Sequence, residues 1–181
     1  MKYGKSSPLL SPGQIKELLH LLGDSFVRLT RLRKRSALAI HIQFPKIPSI
    51  LTESIVIQLL SSGELLPPLR RRGYEFKLGG KLADIVASNP KHKELKIEVK
   101  ATARSGFQAL SEKDVNADFL IWLHFGDQFI EWGKKLEITH VEFELLVCPN
   151  PASAGLRAGK ITLERFISSI RLGRSVHRMR L

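Results

Sequence analysis

The hydrophobic pattern is clearest near the middle of the chain, in two short segments separated by polar residues. The first segment, residues 81–88, is mostly apolar, and the second, residues 95–101, alternates between apolar and charged positions. The residues between them include an Asn-Pro pair, which favours a turn. Because a period of two is typical of a strand with one buried face, the pattern predicts a β-hairpin.

Other parts of the chain predict helices and further strands. Apolar side chains recur at helical spacing in residues 15–32, and five basic residues near the end of that helix either complement its dipole or contact phosphate. Residues 118–125 form a nearly continuous apolar run, which is typical of a strand buried on both faces. The remaining predicted elements are helices at 50–60, 107–116 and 161–170 and strands at 74–77 and 140–148. Together these elements predict an α/β fold.

The predicted hairpin brings two acidic residues together. If its turn is symmetric about Lys91, Val86 pairs with Lys96. The same register pairs Asp84 with Glu98, and directly opposed residues share a face with Cβ atoms about 5 Å apart. Two carboxylates so close repel each other, so a divalent cation is their natural partner. Lys100 follows on the same face, where it could hold an attacking water or neutralise charge on a phosphate.

The same residues also fit an ordinary strand with one solvated face. Four charged residues share that face, and apolar residues occupy the other: Glu94, Lys96, Glu98 and Lys100. A Glu-x-Lys triplet is common when 25% of the residues are charged, and this segment contains two of them, at 94–96 and 98–100. Asp84 favours the catalytic interpretation, because a single carboxylate among apolar neighbours needs a partner.

The spacing of these residues resembles the motif of the PD-(D/E)xK nuclease superfamily, which includes most type II restriction endonucleases. The matching elements are Asp84, thirteen intervening residues and then Glu98-Val99-Lys100. The order of helix, hairpin, helix and buried strand over residues 48–148 is also similar to the family core. Ala83 stands where the motif has proline, a residue that many relatives lack. The resemblance implies a restriction-endonuclease-like mixed β-sheet flanked by helices.

The resemblance also implies a role for each matching residue. Asp84 and Glu98 would bind Mg²⁺. The Val99 carbonyl and Glu53 would add ligands, Glu53 either directly or through water. Lys100 would position or activate a water for in-line attack on phosphorus. Glu53 is predicted in the first turn of its helix, where a carboxylate also stabilises the helix N-terminus.

The charge of the chain points to a nucleic acid. A net charge of +12 and a pI near 10.1 favour a phosphate-rich partner, although they do not separate DNA from RNA. Three consecutive arginines, Arg70, Arg71 and Arg72, precede the hairpin on a predicted short loop. Because arginine suits bidentate contacts with phosphate or guanine, we expect them to touch DNA beside the scissile bond.

The cysteine content and the hydrophobic runs of the chain indicate its cellular compartment. Cys148 is the sole cysteine, so an intramolecular disulfide is impossible and a cysteine-based zinc site is not expected. The apolar runs are too short to span a membrane, and residues 1–8 leave no room for a signal peptide. These features predict a cytoplasmic protein.

The length of 181 residues suits a single nuclease domain. It would comprise an N-terminal helical part (1–47), a catalytic core (48–148) and a C-terminal helix with a basic tail (149–181), the tail being disordered or lying along DNA. The predicted function is a Mg²⁺-dependent endonuclease, most like a type II restriction enzyme that cuts double-stranded DNA as a homodimer. The alternatives are a Holliday-junction resolvase or repair nuclease of the same superfamily, and a non-catalytic nucleic-acid-binding module.

Overall fold

Two long helices precede the sheet in the computed structural model, which describes residues 9–103, 106–134, 140–170 and 175–180. Helix α1 (Pro12–Arg35) begins at Ser11, whose hydroxyl accepts a hydrogen bond from the Gln14 amide, while the Gln14 side chain accepts one from the Ser11 amide. This reciprocal capping satisfies two amides that a helix start leaves unpaired. A short 3-10 helix (Ala37–His41) then leads to α2 (Ser49–Ser62).

Eight strands, numbered in chain order, are present in the described part of the chain. Six of them form one sheet, in the spatial order β1 (Glu75–Leu78), β2 (Ile85–Asn89), β3 (His92–Thr102), β5 (Phe119–His124), β6 (His140–Pro149) and β8 (Ser175–Arg180). Within this sheet β3 and β5 run parallel, whereas the other neighbouring pairs are antiparallel. The other two strands, β4 (Phe107–Leu110) and β7 (Gly159–Thr162), pair with each other.

Four short helices complete the described elements: α3 (Pro67–Arg71), α4 (Glu112–Val115), α5 (Gln128–Trp132) and α6 (Leu163–Ser169). The predicted fold class, a mixed β-sheet flanked by helices, is confirmed. No helix in the described ranges is both long enough and apolar enough to cross a lipid bilayer.

The sheet separates two hydrophobic cores. Ile121 and Leu123 face the larger core, which includes apolar side chains of α1 and α2. Leu120 and Trp122 face the smaller core, where the Trp122 ring lies 5.2 Å from the ring of Phe166 in α6. Strand β5 is therefore buried on both faces, as its continuous apolar run predicts.

The hairpin of β2 and β3 has the predicted register. Val86 pairs with Lys96, and the pairing of Ile85 with Ile97 places Asp84, the next residue, opposite Glu98. The turn is tighter than the sequence suggests, because the strands continue to Asn89 and His92 after an irregularity in β2.

Three predicted elements differ from the structure. Residues 107–116 are not one helix, since β4 pairs with the distant β7 before α4 begins. Residues 161 and 162 likewise belong to β7, and Thr162 then caps α6 by accepting a hydrogen bond from the Arg165 amide. Arg70 and Arg71 lie in α3 rather than in a loop, because Pro67 and Pro68 suit the first turn of a helix.

The basic tail contains regular structure. Ser175–Arg180 form β8, which pairs with β6, so this part of the tail is an edge strand and not a disordered segment. Residues 171–174 and 181 of the predicted tail, and residues 1–8 of the predicted N-terminal part, lie outside the described residues.

Candidate active site

The site lies at the end of the hairpin farthest from its turn. Asp84 immediately precedes β2, and its Oδ2 accepts a hydrogen bond of 2.9 Å from the Val99 amide in β3. This bond ties the carboxylate to the neighbouring strand. Glu98 lies one residue earlier in β3, so sheet pairing and one side-chain bond together hold the two acids in place.

Glu98 is a buried acid with one unpaired oxygen. Only 2% of its side chain is exposed. Its Oε1 has no hydrogen-bond partner among the described residues. Burial, together with the negative charge of Asp84, raises the pKa of Glu98 from 4.5 to about 7. A buried ionisable group whose pKa is strongly shifted is typical of functional sites.

Lys113, in α4, bridges the two acids. Its Nζ lies 3.2 Å from Asp84 Oδ1 and 3.1 Å from Glu98 Oε2. Burial lowers the pKa of Lys113, but the hydrogen bond to Glu98 and the charge of Asp84 outweigh it, so the pKa is raised overall. The three charged groups therefore form one connected cluster.

Lys100 forms an ion pair that the sequence does not suggest. Its Nζ lies 2.8 Å from Oδ1 of Asp114, whose side chain is only 1% exposed. Oδ2 of Asp114 accepts hydrogen bonds from both the amide and the hydroxyl of Ser111, the capping residue of α4. The buried, doubly anchored carboxylate therefore holds the Lys100 ammonium on the α4 side of the site.

Lys113 and Asp114 are two residues of the site that were not predicted from the sequence. A signal is present, because Ser111 followed three residues later by Asp114 forms a capping box and marks a helix start. That signal places Lys113 in the first turn of a helix. It does not reveal that this turn faces the hairpin, which depends on tertiary packing.

Glu53 reaches the same site from α2. It is half-buried, and its pKa is raised by burial and then by the charge of Asp84, while Ser49 and Lys113 lower it. Glu53 therefore lies within electrostatic range of Asp84, although thirty-one positions separate them in the sequence. Because α2 begins at Ser49, Glu53 occupies the second turn of the helix and not the predicted first turn.

The two converging carboxylates fit Mg²⁺ better than a metal that needs a full set of protein ligands. No three His, Cys, Asp or Glu side chains in the described ranges are grouped as metal ligands, so direct ligation by Glu53 gains no support. Mg²⁺, however, is commonly held by one or two carboxylates and keeps several waters. Two observations are consistent with such a site. Glu98 has an unpaired oxygen, and the Lys113 ammonium already lies between Asp84 and Glu98. Ligation by the Val99 carbonyl and water-mediated contact by Glu53 stay predictions.

The triple arginine lies away from the acids. The Arg72 carbonyl accepts a hydrogen bond of 2.8 Å from the Asn89 side chain, beside the turn of the hairpin. Asp84 is at the other end of β2, about 16 Å away at about 3.3 Å per residue. Arg70 and Arg71, like Arg72, are exposed. Their contact with DNA stays a prediction, but their backbone does not lie directly beside the acid pair.

A groove of about 640 Å³ is lined in part by Ala101, the residue after Lys100. Its lining combines two basic side chains, Arg33 and Lys46, with the aromatic rings of Phe44 and Phe107, and the described lining contains no acid. Phe107 is 49% exposed. Cations beside an exposed aromatic ring are the combination that binds nucleic-acid strands by charge and stacking.

The thiol offers no alternative chemistry. Cys148 is fully buried in the smaller core, and burial raises its pKa to about 11, so it stays protonated at neutral pH.

Comparisons of this chain with protein-family models, with curated proteins and with solved structures gave no match.

Proposed function

We propose that this protein is a Mg²⁺-dependent endonuclease that hydrolyses phosphodiester bonds of double-stranded DNA, most like a site-specific restriction enzyme. The observation that carries the proposal is the convergence of Asp84 Oδ1 and Glu98 Oε2 on one cation, the Lys113 ammonium, in a strongly basic protein. The resemblance of the Asp84, Glu98 and Lys100 spacing to the PD-(D/E)xK motif supports the same function.

The acids would provide a rigid anionic site. The Val99 amide fixes Asp84, and the pairing of β3 on both sides fixes Glu98, so neither acid needs to reorganise when a substrate arrives. A Mg²⁺ ion bound there would lower the pKa of a water and stabilise negative charge on the phosphate oxygens.

Lys100 would orient the attacking water or neutralise charge on the phosphate. Asp114 would act through it as a positioning residue, because its buried carboxylate holds the ammonium in one place. The hydrogen bonds from Ser111 to Asp114 extend this support to the backbone of α4.

Binding would be driven by charge and guided by the groove. A net charge of +12 releases counterions when the protein binds DNA, and the groove lined by Ala101, Thr102 and Ala103 offers basic and aromatic contacts near the end of β3. Cleavage of both strands at a symmetric site would favour a homodimer, as the resemblance to restriction enzymes implies. The single buried, free cysteine suits a reducing compartment, so we place the activity in the cytoplasm.

The experiment that tests this function offers the protein two substrates with Mg²⁺. One is plasmid DNA, and the other is a synthetic four-way junction. Discrete plasmid fragments support a restriction enzyme, whereas nicking of the junction alone supports a resolvase. Binding of either substrate without cleavage would contradict the nuclease function and favour a binding module.

The three exposed arginines give a prediction about affinity. Replacing Arg70, Arg71 and Arg72 together with alanine should weaken DNA binding, since up to three phosphate contacts are lost. The slope of log affinity against log salt should become shallower by up to about 3. Fluorescence anisotropy across a salt series measures both effects. Arg165→Ala is the control for loss of an exposed arginine, because Arg165 lies in α6, outside the triple arginine. A triple variant with the affinity and slope of the wild type would show that these arginines do not contact DNA.

A further inference from the structure

Lys113 supplies the acid pair with a cation of its own. Its Nζ is within 3.2 Å of Asp84 Oδ1 and within 3.1 Å of Glu98 Oε2, so one ammonium contacts both carboxylates. A divalent ion bound by the same two oxygens would meet this positive charge at contact distance. Two cations so close repel each other strongly, especially beside a carboxylate that is 2% exposed.

The Lys113 side chain is partly exposed, whereas its helix is anchored by a buried residue. Lys113 belongs to the four-residue helix α4, whose next residue, Asp114, is buried and bonded to Ser111 and Lys100. The Lys113 side chain itself is 39% exposed. Its ammonium can therefore leave the acids and reach solvent by side-chain rotation alone, with α4 in place.

We propose that Lys113 is an internal counter-cation that competes with the divalent metal ion for Asp84 and Glu98. This inference rests on the proposed function, in which these acids form the metal site. In the free protein Lys113 holds the two carboxylates together and weakens metal binding. A phosphate group at the site gives the displaced ammonium a new anionic partner, so metal and nucleic acid favour each other's binding. By linkage the effect is reciprocal, since each ligand raises the affinity of the other by the same factor.

The competition predicts tighter metal binding when the charge of Lys113 is removed. In the 181-residue chain without DNA, Lys113→Met should bind Mn²⁺ about tenfold more tightly than the wild type, which is within the usual range of coupling between ligands. Lys113→Arg keeps the cation and should bind Mn²⁺ as weakly as the wild type. Titration with Mn²⁺, followed by the electron paramagnetic resonance signal of the free ion, measures the dissociation constants directly.

Two further variants separate the inference from the proposed function. Lys93→Met is the control for loss of a lysine, because Lys93 is exposed and pairs with Asp118 at 3.1 Å, outside the acid cluster. It should leave Mn²⁺ binding unchanged. Glu98→Gln should weaken Mn²⁺ binding, and equal binding by this variant and the wild type would overturn the metal site itself. If Glu98→Gln weakens binding but Lys113→Met does not tighten it, the competition is overturned while the metal site stands. Should Lys113→Met fail to fold, Lys113→Gln provides the same test.

Discussion

Replacing Glu98 with glutamine should abolish DNA cleavage and, at the same time, make the protein more stable at neutral pH. Cleavage should fall by about 10³-fold, as expected when a strong electrostatic contact with the reacting groups is lost. Stability should rise because glutamine has nearly the same shape as glutamate but carries no charge to bury. A plasmid cleavage assay with Mg²⁺ measures the first effect, and excess EDTA should stop the wild type equally well. Undiminished cleavage by Glu98→Gln, or by the wild type in EDTA, would contradict the mechanism.

The stability effect has a defined pH dependence. The pKa of Glu98 is raised from 4.5 to about 7, so the folded state holds this proton more tightly than the unfolded state does. The cost of ionising Glu98 is therefore absent below about pH 4.5, grows as the pH rises towards 7 and is complete above it. Its full size is on the order of 3 kcal/mol.

Urea unfolding of the metal-free protein between pH 4.5 and 8 measures this cost. The wild type should lose stability with rising pH more steeply than Glu98→Gln. The pKa of Glu53 is raised as well, but Glu53 is present in both proteins and does not affect the difference between their stabilities. Glu64→Gln, which changes an exposed acid, should behave like the wild type. Parallel curves for the wild type and Glu98→Gln would show that Glu98 does not carry this cost.

Replacing Lys100 with methionine should also remove cleavage, but with the opposite effect on stability. Loss of the ammonium should reduce the rate by about 10²–10⁴-fold, as for a group that acts directly on the proton of the attacking water. The fold should lose about 1–3 kcal/mol, because the Asp114 carboxylate, which is 1% exposed, loses its ion-pair partner.

A second substitution separates these two effects. The double variant Lys100→Met/Asp114→Asn removes the buried charge and keeps an oxygen that can accept from Ser111, so stability should return towards that of the wild type. Cleavage should not return. Asp114→Asn alone keeps the ammonium and should cleave more slowly than the wild type but faster than Lys100→Met. If the double variant recovered cleavage, Lys100 would have no direct role in the reaction.

The sequence predicted the acid pair because the pair depends on local geometry. Once β2 and β3 form a hairpin, a two-residue period and a short turn decide which residues face each other, and Asp84 and Glu98 follow from that register. The buried strand β5 was predictable for a similar reason, since its apolar run alone indicates burial on both faces.

The rest of the site depends on packing between distant segments. Glu53 approaches Asp84 because α2 packs on the sheet, and the direction of that helix is not encoded in its own apolar pattern. The segment that carries Lys113 was predicted as part of one long helix. That prediction failed because β4 pairs with β7, about fifty positions away, and such a distant pairing leaves no local signal in the sequence. The partner of Lys100 was missed for the same reason, although Asp114 is only fourteen positions away.

Because α4 is short, the site should lose its lysine contacts more easily than the sheet unfolds. The acids belong to a hairpin joined to the central strands, whereas Lys113 and the anchor of Lys100 belong to a single helical turn of four residues. Such a turn can open in a local fluctuation that costs much less free energy than global unfolding. Amide hydrogens of residues 112–116 should therefore exchange with solvent sooner than those of β3 and β5. In mild denaturant, the protein would pass through a state whose sheet is intact, but in which Asp84 and Glu98 have lost Lys113 and Lys100 has lost Asp114.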